Sequence, residues 1–149
     1  MFRYEFGSYK FMKNIILSIA GKPGLFRLVA QGNQNLIVET IDAQKKRSTA
    51  GARDRVTALN DISMYTLEDD KPLMEIFESC KQVTGGKATE FTHKDATNDQ
   101  LVEFMAAAVP NFDRDRVHMS DIRKLVQWYN ILITNGYTDF VEAEESAEA

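Results

Sequence analysis

The chain has 149 residues, of which 44% are hydrophobic, 27% charged and 10% aromatic, a balance that excludes a disordered, collagenous or disulfide-framed protein. No run approaches the roughly 18 uninterrupted apolar residues of a membrane span; the longest candidate, Val126 to Ile133, is broken by Gln127 and Asn130. Eighteen basic residues against 22 acidic ones leave a net charge of −4, which supplies no global attraction to nucleic acid or to an anionic membrane.

The charge is nevertheless uneven. Residues 1–68 carry ten Lys/Arg and six Asp/Glu (+4), whereas residues 69–149 carry eight and sixteen (−8). That pattern fits two halves attracted to each other, or a basic binding module followed by an acidic one. Cys80 is the single cysteine, so no internal disulfide can form and a reducing cytoplasm is the expected compartment. Ile15 to Ala20 is short for a signal-peptide core and leads into a turn, so export is not expected.

In chain order, residues 1–11 form an aromatic leader in which Phe2, Tyr4 and Phe6 alternate as an edge strand does. Met12 stands immediately before the first domain-like segment, and the leader is read as an upstream extension. Short strands are then expected at Ile15 to Ala20, Leu25 to Ala30, Leu36 to Ile41, Arg47 to Ala50 and Ile62 to Thr66. Turn chemistry separates them at Gly21-Lys22-Pro23-Gly24, Gln31-Gly32-Asn33-Gln34 and Asp42-Ala43-Gln44. Nothing between these strands has the length of a helical crossover, so a small closed or half-closed β-barrel, SH3-like or Sm-like, is expected over residues 12–68.

Residues 69–140 read as helical. Leu73, Ile76, Phe77 and Cys80 recur at helical spacing behind Asp70 and Pro72. Gly85-Gly86, in a polar run, suggests a hinge near residues 84–87. Thr97 and Gln100 form a capping box ahead of Leu101, Phe104, Met105 and Ala108. A third helix is expected from Ser120 as N-cap, with the stripe Ile122, Leu125, Val126, Tyr129, Leu132 and Ile133, and Gly136 beyond its end. Residues 141–149 form an acidic low-complexity tail, expected to be disordered.

Motifs for known chemistries fail on their spacing. Gly85-Gly86-Lys87 has Lys81 where a phosphate-binding loop needs its first glycine and Ala88 where it needs a hydroxyl. Asp113-Arg114-Asp115-Arg116 opens like a calcium loop, but His118 and Lys124 occupy the positions of the required glycine and glutamate. His93 and His118 lack partner ligands at helical or hairpin spacing, and Cys80 lies on the apolar face of its helix. No metal, cofactor or catalytic residue is therefore expected, and a non-enzymatic protein is the leading reading, although dispersed active sites leave no motif.

Two features favour binding. Lys45, Lys46, Arg47, Arg53 and Arg55 place five positive charges within eleven positions around an expected hairpin, suited to a phosphate backbone or a protein partner. Tyr65 adds a stacking surface if it shares that face. Trp128 lies beside the stripe residue Tyr129 and must face a second surface, either interdomain packing or a partner.

The segments Ile16-Leu-Ser-Ile-Ala-Gly-Lys-Pro-Gly-Leu-Phe-Arg-Leu-Val29, Leu36-Ile-Val-Glu-Thr-Ile-Asp42, Ala58-Leu-Asn-Asp-Ile-Ser-Met-Tyr-Thr66, Phe112-Asp-Arg-Asp-Arg-Val117 and Trp128-Tyr-Asn-Ile-Leu132 together resemble a family. It is a domain-of-unknown-function family common in Bacteroidetes-type bacteria, and the likeness runs from about Met12 to about Gly136. The resemblance implies a bacterial cytoplasmic protein with a small β-rich amino-terminal domain and a helical carboxy-terminal one, and it carries over no activity or site. The expectation is thus an α+β protein acting as a macromolecule-binding module or protein–protein adaptor, with a protein partner and no membrane. RNA or single-stranded nucleic-acid binding through the basic hairpin is the alternative, and an enzyme with a dispersed site the third reading.

Overall fold

The computed structural model describes residues 15–138 and 140. The expected leader, residues 1–11, and tail, residues 141–149, lie outside them. The described chain divides into two compact units, one ending at Asp61 and the other running from Ile62 to Phe140. The fold is mixed α+β: a five-stranded antiparallel sheet and three helices.

The first unit is built from β1 (Ile16–Ile19), β2 (Phe26–Gln31), β3 (Leu36–Thr40), β4 (Arg47–Ala50) and β5 (Val56–Ala58), followed by a single 3-10 turn at Leu59–Asp61. The strands lie in the order β4-β3-β2-β1-β5. Period-two burial explains the sheet: Ile15, Leu17 and Ile19, with Phe26, Leu28, Leu36 and Val38, point to one core that Ala50, Val56 and Ala58 complete. Between Leu28 and Ala30 the β2–β3 register shifts by one residue, a bulge that bends β2 and increases its twist. The glycines of the β1–β2 turn, Gly21 and Gly24, have φ of 85° and 80°, a left-handed geometry that side chains rarely adopt.

One expectation is narrowed and one corrected here. Among the described residues the sheet is not closed into a barrel, because β4 and β5 are its two edges. The fifth strand is Val56–Ala58 rather than Ile62–Thr66, pairing with β1 through Ala58 to Leu17, Thr57 to Ser18 and Val56 to Ile19. Three residues are too few to show a periodicity, whereas the longer apolar run at Ile62 to Thr66 is used by the second unit.

There, β6 (Ser63–Met64) pairs with β7 (Lys71–Pro72), and an isolated bridge joins Thr66 to Phe112. Three helices follow: α1 (Leu73–Thr84), α2 (Asn98–Ala108) and α3 (Met119–Thr134). Each buries the stripe read from its spacing, except that Ile133 is half-buried. Gly85, at φ 70°, ends α1 in the left-handed conformation, and the Gly86 N–H donates to the Lys81 carbonyl at 2.9 Å. The capping box of α2 forms as expected, with Gln100 N donating to Thr97 Oγ1 at 3.1 Å and Thr97 N to Gln100 Oε1 at 2.9 Å. α3 starts earlier than expected: His118, not Ser120, is its N-cap, and its N–H donates to Asp121 Oδ2 at 3.0 Å.

Rings dominate this core. Tyr129 lies 6.4 Å from Phe77, 6.5 Å from Phe104 and 6.2 Å from Phe140, distances at which tilted rings attract. Polar groups of α3 then fix the segment between α1 and α2. Tyr129 donates to the Lys87 carbonyl at 2.9 Å and shares a 2.6 Å hydrogen bond with Thr84 Oγ1. Asn130 accepts from Thr89 N at 2.9 Å, and Arg123 donates to the carbonyls of His93 and Ala96 at 2.8 and 3.0 Å.

Candidate functional site

The five basic residues of the expected patch sit along and beyond β4. Lys45 and Lys46 are exposed on the β3–β4 turn, which Asp42 organises: its Oδ1 accepts from Thr40 Oγ1 at 2.8 Å and from the N–H groups of Gln44 and Lys45 at 3.0 Å. Those hydrogen bonds, the Thr40 hydroxyl foremost, hold the Asp42 carboxyl below its ordinary range. Lys45 takes φ 49°, a left-handed turn position occupied without glycine. Arg47, on β4, is engaged by Glu39. In register across three strands, Arg27 Nη2 and Arg47 Nε reach the two Glu39 oxygens at 3.0 and 3.3 Å. The pair lowers the Glu39 pKa, chiefly through the Arg27 hydrogen bond.

Arg53 and Arg55 are exposed at the other end of β4, beyond a turn in which Gly51 N donates to Asp54 Oδ2 at 2.8 Å. Beside them a cleft of about 660 Å³ is bounded by the amide-rich β2–β3 turn, Gln31 to Asn35, and by Leu36, Ala50, Arg55 and Val56. The structure therefore brings Lys45 and Lys46 together at one end of the edge strand and Arg53 and Arg55 at the other. Spacing along the chain could not show this, because β4 occupies the interval. Nor could it show the cleft, whose apolar lining comes from β3, β4 and β5.

Tyr65 belongs to the second unit, whereas the basic strand belongs to the first. It is half exposed, with the Arg116 guanidinium 4.2 Å above its ring, and Asp113 holds that guanidinium at 2.9 Å. Trp128 shares with Tyr65 a groove of about 240 Å³ floored by Met64, Leu73 and Leu125, and Lys124 stands 5.9 Å from the indole. Two cations over two rings at one groove was not legible in the sequence, since β6 and α3 are far apart in the chain.

Chemistry of the other candidates is limited by their surroundings. Cys80 is buried, and burial pushes its thiol up to about 12, so it carries essentially no thiolate at neutral pH. Among the described residues no three His, Cys, Asp or Glu gather as metal ligands, and no helix is long and apolar enough to cross a membrane. Neither cavity is lined by a histidine, nor by Glu39, Asp42, Asp95 or Asp113, the carboxylates whose pKa values are shifted.

A five-stranded antiparallel unit followed by a three-helix unit defines the class of protein, and the comparisons with known proteins fall on that division. One family model, Domain of unknown function (DUF5606), matches residues 14–59, and a second, Domain of unknown function (DUF6852), matches residues 62–132. A structural-genomics solution NMR structure of a protein from Bacteroides vulgatus is 53% identical, covers 87% of this chain and 91% of its own, and superposes with a TM-score of 0.71. No curated protein matches. The chain belongs to this uncharacterised Bacteroidetes family, as its sequence segments suggested.

Proposed function

We propose that the chain is a non-enzymatic, cytoplasmic macromolecule-binding module, an adaptor that takes a protein partner through its first unit. The observation that carries this reading is the cleft between the β2–β3 and β4–β5 turns, where amide side chains and Arg55 rim an apolar lining at the open side of the sheet. Such a surface offers directed hydrogen bonds around a dry contact, the composition of a recognition site. The strand order, a four-strand meander whose fifth strand returns to the first, is that of SH3-like and Sm-like barrels and supports a half-open version of that fold.

The RNA alternative has less support. Single-stranded nucleic acid is held by cations together with aromatic stacking platforms, and the one aromatic residue between positions 15 and 61, Phe26, is buried. The dispersed-enzyme reading has less again, since the shifted carboxylates and His93 line neither the cleft of the first unit nor the groove of the second.

The test is affinity capture from a lysate of a Bacteroides-type host, with and without nuclease, comparing the natural chain with one in which Lys45, Lys46, Arg47, Arg53 and Arg55 are alanine. A protein that survives nuclease and is lost from the variant is the expected result. Recovery that is indifferent to the five cations, or that disappears with nuclease, would sink the reading.

A further inference from the structure

Among the described residues the first unit leaves a sheet edge open beside its strongest run of charge, and its geometry is specific. In an antiparallel ladder, residues alternately exchange hydrogen bonds with the neighbouring strand and turn their N–H and C=O away from it. Thr40 N donates to the Lys46 carbonyl at 2.9 Å. With Val38 opposite Ser48 and Leu36 opposite Ala50, that alternation commits Ser48 and Ala50 to β3. Arg47 and Thr49 therefore present their backbone donors and acceptors outward, along the side of β4 that has no neighbouring strand among the described residues. On the core face β4 carries only Ser48 and Ala50, so no bulky side chain overhangs the edge.

Charge selects the occupant. Among the described residues Lys45, Lys46, Arg53 and Arg55 make no ion pair, and they flank β4 at both ends. Lysine and arginine at a sheet edge ordinarily deny it to neutral strands. Here they also repel a second copy of the same edge and attract a strand of opposite sign. The cleft continues the track past Ala50, with Leu36 and Val56 to receive an apolar side chain.

We propose that an acidic, extended segment of a partner protein adds as a sixth strand along the outer edge of β4, pairing with the backbone of Arg47 and Thr49 and placing an apolar side chain in the cleft. This rests on the reading that the first unit binds a protein, and it specifies the mode.

The probe is a synthetic peptide of alternating glutamate and valine, titrated into the full chain labelled with nitrogen-15. It should shift the amides of β4 and slow hydrogen exchange at Arg47 and Thr49 about tenfold, while a lysine–valine peptide should not bind. Thr49→Pro removes an outward N–H without touching the β3 ladder and should weaken binding about tenfold. The same peptide methylated on alternate backbone nitrogens tests the point with the protein unaltered, and should lose binding to a similar degree. If the methylated peptide binds as well as its parent, charge alone holds it; strand addition then fails while the protein-binding reading survives. If the parent peptide does not bind, or contacts another surface, the proposal is overturned. If a uridine oligonucleotide binds β4 and the peptide does not, both readings fall. A dimer that Thr49→Pro dissolves in sedimentation assigns the edge to a second copy and also overturns the proposal.

Discussion

The two units solve the same problem with different means. Among the described residues the first has an aliphatic core, a cluster of ten buried side chains of which one, Phe26, is aromatic, under a sheet whose register is set by turns and a part-buried ion ladder. The second wraps three helices around a ring cluster and uses the polar face of α3 to fix a long connection. Among the described residues the second unit packs Phe77, Phe104, Tyr129 and Phe140 close to one another, while the first packs aliphatic side chains around a single ring, Phe26.

The largest test of that contrast is Phe77→Ala. Phe77 is fully buried against Tyr129 and Phe140, and its truncation should cost about 3–5 kcal/mol in denaturant unfolding. Trp128, the single tryptophan, reports the second unit by fluorescence. Leu17→Ala, the matching change in the first unit, should lie in the lower part of the roughly 2–5 kcal/mol range; a larger loss than at Phe77 would break the comparison. Next is Tyr129→Phe, which keeps the ring but leaves the Lys87 carbonyl and Thr84 hydroxyl without this partner. It should cost about 1–3 kcal/mol and speed amide exchange between residues 84 and 89. Thr97→Ala removes the α2 cap and should cost about 1 kcal/mol by thermal unfolding.

The smallest effect is expected at the ion ladder of the first unit, read through pH. Glu39 titrates lower in the folded chain than unfolded, so its contribution is complete above its ordinary value of 4.5 and drains away as pH falls through the lower folded value. Glu39→Gln should therefore differ from the natural chain near neutrality and converge with it in acid, followed by denaturant midpoints from pH 7 to 2. Equal differences across that range would show that the ladder acts through packing rather than charge.

Much of the fold was legible because its signals are local. The stripe of α1, the Thr97–Gln100 box and the first four strands each depend on residues a few positions apart, and the structure keeps them. What was not legible depended on length or distance. β5 has three residues and shows no pattern of its own. The choice of His118 over Ser120 as cap rests on which backbone N–H Asp121 reaches, a matter of angle rather than composition. The basic residues were visible as a group, but their separation to the two ends of β4 needed the strand between them. The pairing of Tyr65 with Trp128 needed the packing of β6 beside α3.

The Arg27–Glu39–Arg47 ladder has one more consequence, for alignment. A slip of β4 by a single residue against β3 would turn Arg47 from the Glu39 side to the core side, beside Val38, breaking its ion pair and bringing Thr49 into the buried place of Ala50. The Asp42 turn opposes the same slip from the hairpin end, since moving it would break the contacts that Asp42 makes with Thr40, Gln44 and Lys45. An edge strand of four residues is thereby held in frame from its hairpin end like a ruled margin, with the outward groups of Arg47 and Thr49 at fixed intervals.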